Sequence, residues 1–252
     1  MPLARLIDQF EEKAATCGSD ADLRQLLEDA ARELGFRYFA LLHHASLSRT
    51  GPRLIRLDNY PESWAHELSR DGLAADDPVH LASGRTNIGF EWGRIEDLLP
   101  LTARHRHILV RSSRHGLGPG FTVPANIPGE PGGSCSFAVG RGQDLPLQRL
   151  LCAEQIGAHA FTAARRIHLY PAAASRPRLS RRELQCLHLV AAGKTDTEIA
   201  IVLGISPDTA RQYVKRARAA YDVISRTQLV VHGLRDAWIS FDDAIAPPAA
   251  MD

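Results

Sequence analysis

Residues 180–238 read SRRELQCLHLVAAGKTDTEIAIVLGISPDTARQYVKRARAAYDVISRTQLVVHGLRDAW. Side-chain chemistry marks four helix starts in this stretch. Ser180-Arg181-Arg182-Glu183 has the form of a capping box, in which a hydroxyl accepts from the amide three residues on and the acid reaches back. Thr195-Asp196-Thr197-Glu198 and Ser225-Arg226-Thr227-Gln228 repeat the device. Ser206-Pro207 offers an N-cap followed by proline at the first helical position, where its missing N–H costs nothing. Apolar residues follow each start at helical spacing, for example Leu184, Leu187 and Val190. Leu203-Gly204-Ile205-Ser206 leaves a tight glycine turn between the second and third helices, the signature of a helix-turn-helix. The helix beyond it carries Arg211, Gln212, Lys215, Arg216 and Arg218 against one acid, Asp208. That is the character of a helix that enters a DNA major groove.

The charge distribution supports this reading. The 252-residue chain has a formal net charge of +1, which by itself says nothing about nucleic acid. Between Arg176 and Arg235 there are 11 Lys+Arg and 5 Asp+Glu, a local +6 that leaves −5 for the remainder. A basic module is attached to a mildly acidic body. Tyr170 to Pro177 breaks the helical pattern with two prolines and small residues, as a linker does. The expected domains are therefore 1–169, a linker at 170–178, a DNA-binding domain at 179–240, and a disordered tail at 241–252. The composition is that of a soluble globular chain, 44% hydrophobic and 23% charged. The four cysteines are far apart, as expected of reduced thiols in the cytoplasm. No signal peptide is read at the N-terminus, and no apolar run approaches the roughly 20 residues of a membrane span.

The first 169 residues read as mixed helix and strand. Helices are expected over 3–15, from Ser19 to Leu34, over 64–69, from Asp77-Pro78 to Ser83, after Pro100 to about 115, and over 147–169. Strands are expected at 36–43, 54–57, into Pro124, and at 134–139, with 88–92 a loop or strand, a turn at Ser48 to Pro52 and a hairpin at the end. The strands follow one another in meander order. An antiparallel sheet covered by helices in an α/β/α sandwich, followed by an all-α four-helix helix-turn-helix domain, makes the chain α+β.

One cluster in the front domain combines the chemistry of a ligand site: Tyr60, Trp64, Asp77 and Trp92. Tyr O–H and Trp N–H donate to carbonyls while their rings pack on apolar surface, and Asp accepts from an amide N–H. The same residues could be core aromatics, with Asp77 capping a helix that begins at Pro78. His43-His44 and His105-x-His107 have no Cys or carboxylate spacing to make them metal ligands. Gly133-Ser134-Cys135-Ser136 is not a nucleophile elbow, and Gly116-x-Gly118-x-Gly120 lacks the context of a dinucleotide loop. No catalytic residue, metal or cofactor is expected, and the chain does not read as an enzyme.

These residues carry a resemblance. LSRRELQCLHLVAAGKTDTEIAIVLGISPDTA and the later SRTQLV closely resemble the LuxR-type helix-turn-helix of bacterial regulators, with Glu183, Leu187, Gly193 and Thr209 on hallmark positions. Ala210 stands where Val is usual, and Asp222 where Gly or Asn often ends the helix. Asn59-Tyr60-Pro61-x-x-Trp64, Asp77-Pro78, Phe90-Glu91-Trp92 and Gly120-x-Thr122-x-Pro124 resemble the autoinducer-binding domain of the quorum-sensing branch. Together the two resemblances cover nearly the whole chain. They imply a cytoplasmic homodimer that binds an N-acyl-homoserine lactone and a two-fold-symmetric double-stranded DNA site. Trp64 would meet the lactone carbonyl, Asp77 the amide N–H and Tyr60 the amide carbonyl, with Ser134 or Ser136 adding a bond. Four residues after Trp64 the family usually has a pocket-wall Tyr. Leu68 stands there instead, which leaves open a different acyl chain or a ligand that is no lactone. On the basic helix, Arg211 and Lys215, with Gln212 behind them, are expected to read bases, and Thr209, Arg216 and Arg218 to meet phosphates.

Overall fold

Two short helices open the chain, each ending where its apolar stripe ends: α1 (Leu3–Thr16) and α2 (Asp20–Glu33). The second begins at a capping box between Ser19 and Asp22 and stops before Gly35, whose φ of 88° no other residue adopts readily. The computed structural model describes residues 3–44, 54–128, 130–168 and 176–245. The expected turn at Ser48 to Pro52, the central part of the linker and residues 246–252 lie outside them. The chain divides into two compact units, Met1–Ala172 and Ala173–Asp252.

In the first unit, β1 (Tyr38–His43) and β2 (Arg56–Asp58) pair antiparallel. Helices α3 (Glu62–Arg70) and α4 (Pro78–Ser83) follow, then the short strand β3 (Phe90–Glu91). Thr102 and His105 form the box that starts α5 (Ala103–Arg114). Strands β4 (Leu117–Ala125) and β5 (Gly133–Gly140) make the expected hairpin, and α6 (Leu150–Ile167) closes the unit. Pro146 takes a ψ of 70°, so a 3-10 turn at Leu147–Arg149 precedes α6 and the helix starts later than expected.

The strand order is β2-β1-β5-β4-β3, with every pair antiparallel. This corrects the meander. Residues 59–89 are spent on α3 and α4, so β2 and β3 end as the two edges, while β1 pairs along its whole length with β5. Period-two alternation then gives the sheet two different faces. Phe39, Leu41, Phe121, Val123, Cys135 and Phe137 form the main core with α1, α2 and α6. The opposite face presents Ala40, Leu42, Thr122, Ser134 and Ser136 toward α3, α4 and α5.

The second unit has its four expected helices: α7 (Arg181–Ala191), α8 (Asp196–Leu203), α9 (Pro207–Ala220) and α10 (Arg226–Arg235). Ser180, Thr195, Ser206 and Ser225 are their N-caps. Gly204 ends α8 with φ 63°, and Asp222 turns the chain after α9 with φ 52°, the conformation that Gly or Asn adopts most cheaply. Part of the expected tail is ordered. Ser240 and Asp243 make another box, so Phe241–Ile245 forms a fifth helix, α11.

Candidate ligand cavity and DNA-facing helix

A cavity of about 610 Å³ lies between the second sheet face and α3, α4 and α5. Asn59 prepares its wall. Its Oδ1 accepts from the Phe39 amide at 2.7 Å and its Nδ2 donates to the Arg37 carbonyl at 3.3 Å. This clamp ties the end of β2 to β1 and fixes Tyr60 beside the sheet. The Tyr60 ring meets Tyr38 edge-on, and its hydroxyl lies near Ser136. Burial, followed by the carboxylates of Asp77 and Asp58, pushes the phenol far above its ordinary pKa, so it is a neutral donor.

Pro61 starts α3 and puts Trp64 one turn in, where it is 3% exposed and lines the cavity. The indole packs against His115 with centroids 5.7 Å apart, and its Nε1 has no hydrogen-bond partner among the described residues. His115 in turn bonds Glu67 at 2.7 Å, and Glu67 and Asp71 pair with Arg111. Hydrogen bonds from His115 and Arg111 hold the Glu67 carboxyl below its usual range; those from Arg70 and Arg111 hold Asp71 at about 2. The network fastens α3 to α5 behind Trp64.

Asp77 caps a helix, as its sequence allowed, and also lines the cavity. Its Oδ1 accepts from the Val79 amide at 2.9 Å and caps α4, while its Oδ2 lies 3.9 Å from His80 Nε2 at the cavity wall. Trp92 lines the cavity with its ring but donates its N–H to Thr122 Oγ1 at 2.8 Å. That hydroxyl meets Ser136 Oγ at 2.8 Å. A polar chain Trp92–Thr122–Ser136 therefore runs across the sheet, with Tyr60 beside its end. Gly120 makes room for it, since a Cβ there would lie 2.4 Å from Trp92 Cε2.

Ser134 and Ser136 stand on the same face, opposite Leu42 and Ala40. Ser136 lines the cavity, whereas Ser134 is occupied by His44 Nε2 at 2.8 Å. Leu68 contributes an apolar wall. Sequence reasoning missed Thr122, His44 and His80. The signal for one of them was available: His44 directly follows a strand ending at His43, which places it at the edge of the sheet face. The His43 ring packs on Phe161 of α6, His44 stacks on His80, and both histidines line the cavity. His105 caps α5. Among the described residues no three His, Cys, Asp or Glu side chains gather as metal ligands would.

The cavity is lined by apolar side chains interspersed with a few polar groups. Such a site suits an amphipathic molecule whose carbonyl oxygens meet the Tyr60 O–H and Trp64 N–H and whose N–H meets Asp77 Oδ2.

In the second unit, Arg211, Gln212, Lys215 and Arg216 are exposed on α9. Arg211 pairs with Asp208 at 3.1 Å and approaches Asp196 at 3.8 Å, while 66% of its side chain stays open to solvent. Thr209 is half-buried, its hydroxyl 2.8 Å from that of Ser206. Arg218 departs from the expected phosphate contact. It folds inward and donates Nη1 to the Ile224 carbonyl at 2.5 Å, because the left-handed turn at Asp222 brings that carbonyl back toward the end of α9.

Comparison with known proteins agrees with both units. The family model described as autoinducer binding domain matches residues 19–167, and that of bacterial regulatory proteins, luxR family, matches 177–232. The transcriptional activator protein AhyR of Aeromonas hydrophila is 24% identical over 237 residues, 91% of this chain and 90% of the relative. The transcriptional activator protein VanR of Vibrio anguillarum is 27% identical over 229 residues, 88% of this chain and 92% of the relative. Escherichia coli SdiA shares the fold, with a TM-score of 0.62 at 22% identity over 92% of this chain and 97% of that one. SdiA solved in complex with octanoyl-rac-glycerol also gives 0.62, at 21% identity, over 94% and 96%. No helix among the described residues is long and apolar enough to cross a membrane.

Proposed function

The chain belongs to the luxR family of bacterial regulatory proteins and carries that family's autoinducer-binding domain, and from this premise we propose that it is an N-acyl-homoserine lactone receptor. The lactone carbonyl accepts from Trp64 Nε1, the amide N–H donates to Asp77 Oδ2, and the amide carbonyl accepts from Tyr60. Ser136, near the Tyr60 hydroxyl, helps to orient it. The acyl chain fills the apolar remainder of the cavity. The protein works in the cytoplasm as a homodimer, presenting two α9 helices to a two-fold-symmetric DNA site. Arg211 and Lys215, with Gln212, read bases; Arg216 and Thr209 meet phosphates.

The observation that supports this reading most is that Tyr60, Trp64 and Asp77 all line one cavity, with the Asp77 Oδ1 alone engaged in capping α4. A melting-temperature series on the purified chain tests it. Saturating lactone at about 100 times its Kd should add roughly 2.7 kcal/mol of stability by mass action. Trp64→Phe should lower the affinity about five- to tenfold, the worth of one hydrogen bond. A flat response to every lactone, or an unimpaired Trp64→Phe variant, rejects the assignment. Leu68 and the acyl-glycerol in the SdiA complex favour a second reading, in which the same wall takes a non-lactone acylated head group. Octanoyl-glycerol in the same series separates the two.

A further inference from the structure

Three helices of the second unit meet at Asp196. It is the first residue of α8, and its side chain is 25% exposed. Arg226, at the start of α10, donates Nη1 to Asp196 Oδ1 at 2.5 Å and Nη2 to the Lys194 carbonyl at 2.5 Å. The two bonds engage both terminal nitrogens of a rigid guanidinium, so the Asp196 carboxylate is held in one orientation. Its other oxygen, Oδ2, lies 3.8 Å from Arg211 Nε on α9. Arg211 thus stands between two acids of different character. Asp208 reaches its Nη1 at 3.1 Å from the same helix, but the Asp208 side chain is 88% exposed and pairs with no other side chain among the described residues. Asp196 is the fixed acid and Asp208 the free one.

An arginine that reads guanine presents two N–H groups to O6 and N7 and gives up the freedom of its long side chain to do so. A fixed carboxylate behind Nε reduces that loss, because it restricts the side chain before DNA arrives. A carboxylate that moves with its own exposed side chain does not. We propose that Asp196, held by Arg226, is a positioning residue for Arg211 and so sets how strongly α9 discriminates one DNA sequence from another. This rests on the reading of Arg211 as a base contact.

Charge gives the test two signs. Removing a carboxylate beside α9 weakens repulsion of phosphates, so affinity for arbitrary duplex should stay the same or rise. Loss of orientation should lower affinity for the preferred sequence. The preferred probe is the duplex most enriched from a random pool by the full chain, and the comparison probe is its scrambled counterpart, both at one salt concentration. Asp196→Asn should lower the ratio of preferred to scrambled affinity about two- to tenfold. In an Arg211→Ala background it should change the ratio no further, and Asp208→Asn should leave the ratio as it was. Asp196→Ser provides the same comparison if Asp196→Asn does not fold. An unchanged ratio in Asp196→Asn beside a lowered one in Arg211→Ala overturns the inference and leaves the base-reading role in place. So does a ratio that falls in Asp208→Asn instead, or an Asp196→Asn loss that persists without Arg211. A ratio unchanged in Arg211→Ala overturns both.

Discussion

Asp77 lines the cavity and caps α4 through Oδ1 and the Val79 amide, leaving Oδ2, 3.9 Å from His80 Nε2, for the proposed ligand contact. The two roles can be separated. Asn caps a helix as well as Asp does, so Asp77→Asn should leave the melting temperature nearly unchanged while ligand affinity falls, since an amide supplies a donor where an acceptor is needed. Asp77→Ala should lose affinity and also about 1 kcal/mol of stability. Equal stability losses in both variants would mean that the carboxylate charge, not the cap, holds α4. His44 makes a pH prediction. Its pKa is lowered in the folded state, as is that of His43, so the unfolded chain binds more protons below about pH 6.5. Stability is then fully present above that pH and declines as the pH drops toward the lowered folded values. Denaturant melts between pH 7 and 5 should show the decline, and His44→Phe should flatten it. Glu67 and Asp71 act in a lower window, because their carboxyls are depressed and their contribution is lost only as pH falls through the carboxylate range.

Among the elements, β4 is the one whose sequence is most constrained by its surroundings. It contributes Thr122 to the polar chain and lays Gly120 under Trp92. Gly120→Ala puts a methyl carbon where the indole now lies, and overpacking of this kind costs about 1–3 kcal/mol. Trp92 must move, so the variant should also change the tryptophan emission and weaken the Trp92–Thr122 bond. An unchanged spectrum and melting temperature would show that the indole had room to spare. Most elements were legible beforehand because caps and periodicity are local: Ser19, Thr195, Ser206 and Ser225 each sit at a helix start. The short helix at Phe241–Ile245 was legible too, through Ser240 and Asp243, but lay in a stretch read as tail. The 3-10 turn before α6 was not, because Pro146 can begin a helix or sit one turn ahead of it, and the sequence does not choose.

The whole molecule joins an acidic body to a module of local charge +6. That asymmetry gives DNA binding a strong salt dependence, since each neutralised phosphate releases a counterion. Arg211→Ala should cost about 1–3 kcal/mol on the operator and much less on random DNA if the guanidinium reads a base. Equal losses on the two would make it a phosphate contact. Arg211 leaves Asp208 to do this, and the high exposure of the pair keeps the cost small. The sequence by itself determined the helix-turn-helix, the charge asymmetry and the residue types of the front-domain site, because capping, turn chemistry and charge act over three or four neighbouring residues. Tertiary structure decided what those residues face. Pairing β1 with β5 rather than in a meander put Ser134 and Ser136 beside Leu42 and Ala40, brought His44 over His80, and left Asp77 lining the cavity. Those neighbours come from stretches up to about a hundred residues apart, and their meeting depends on a strand order that local periodicity does not encode.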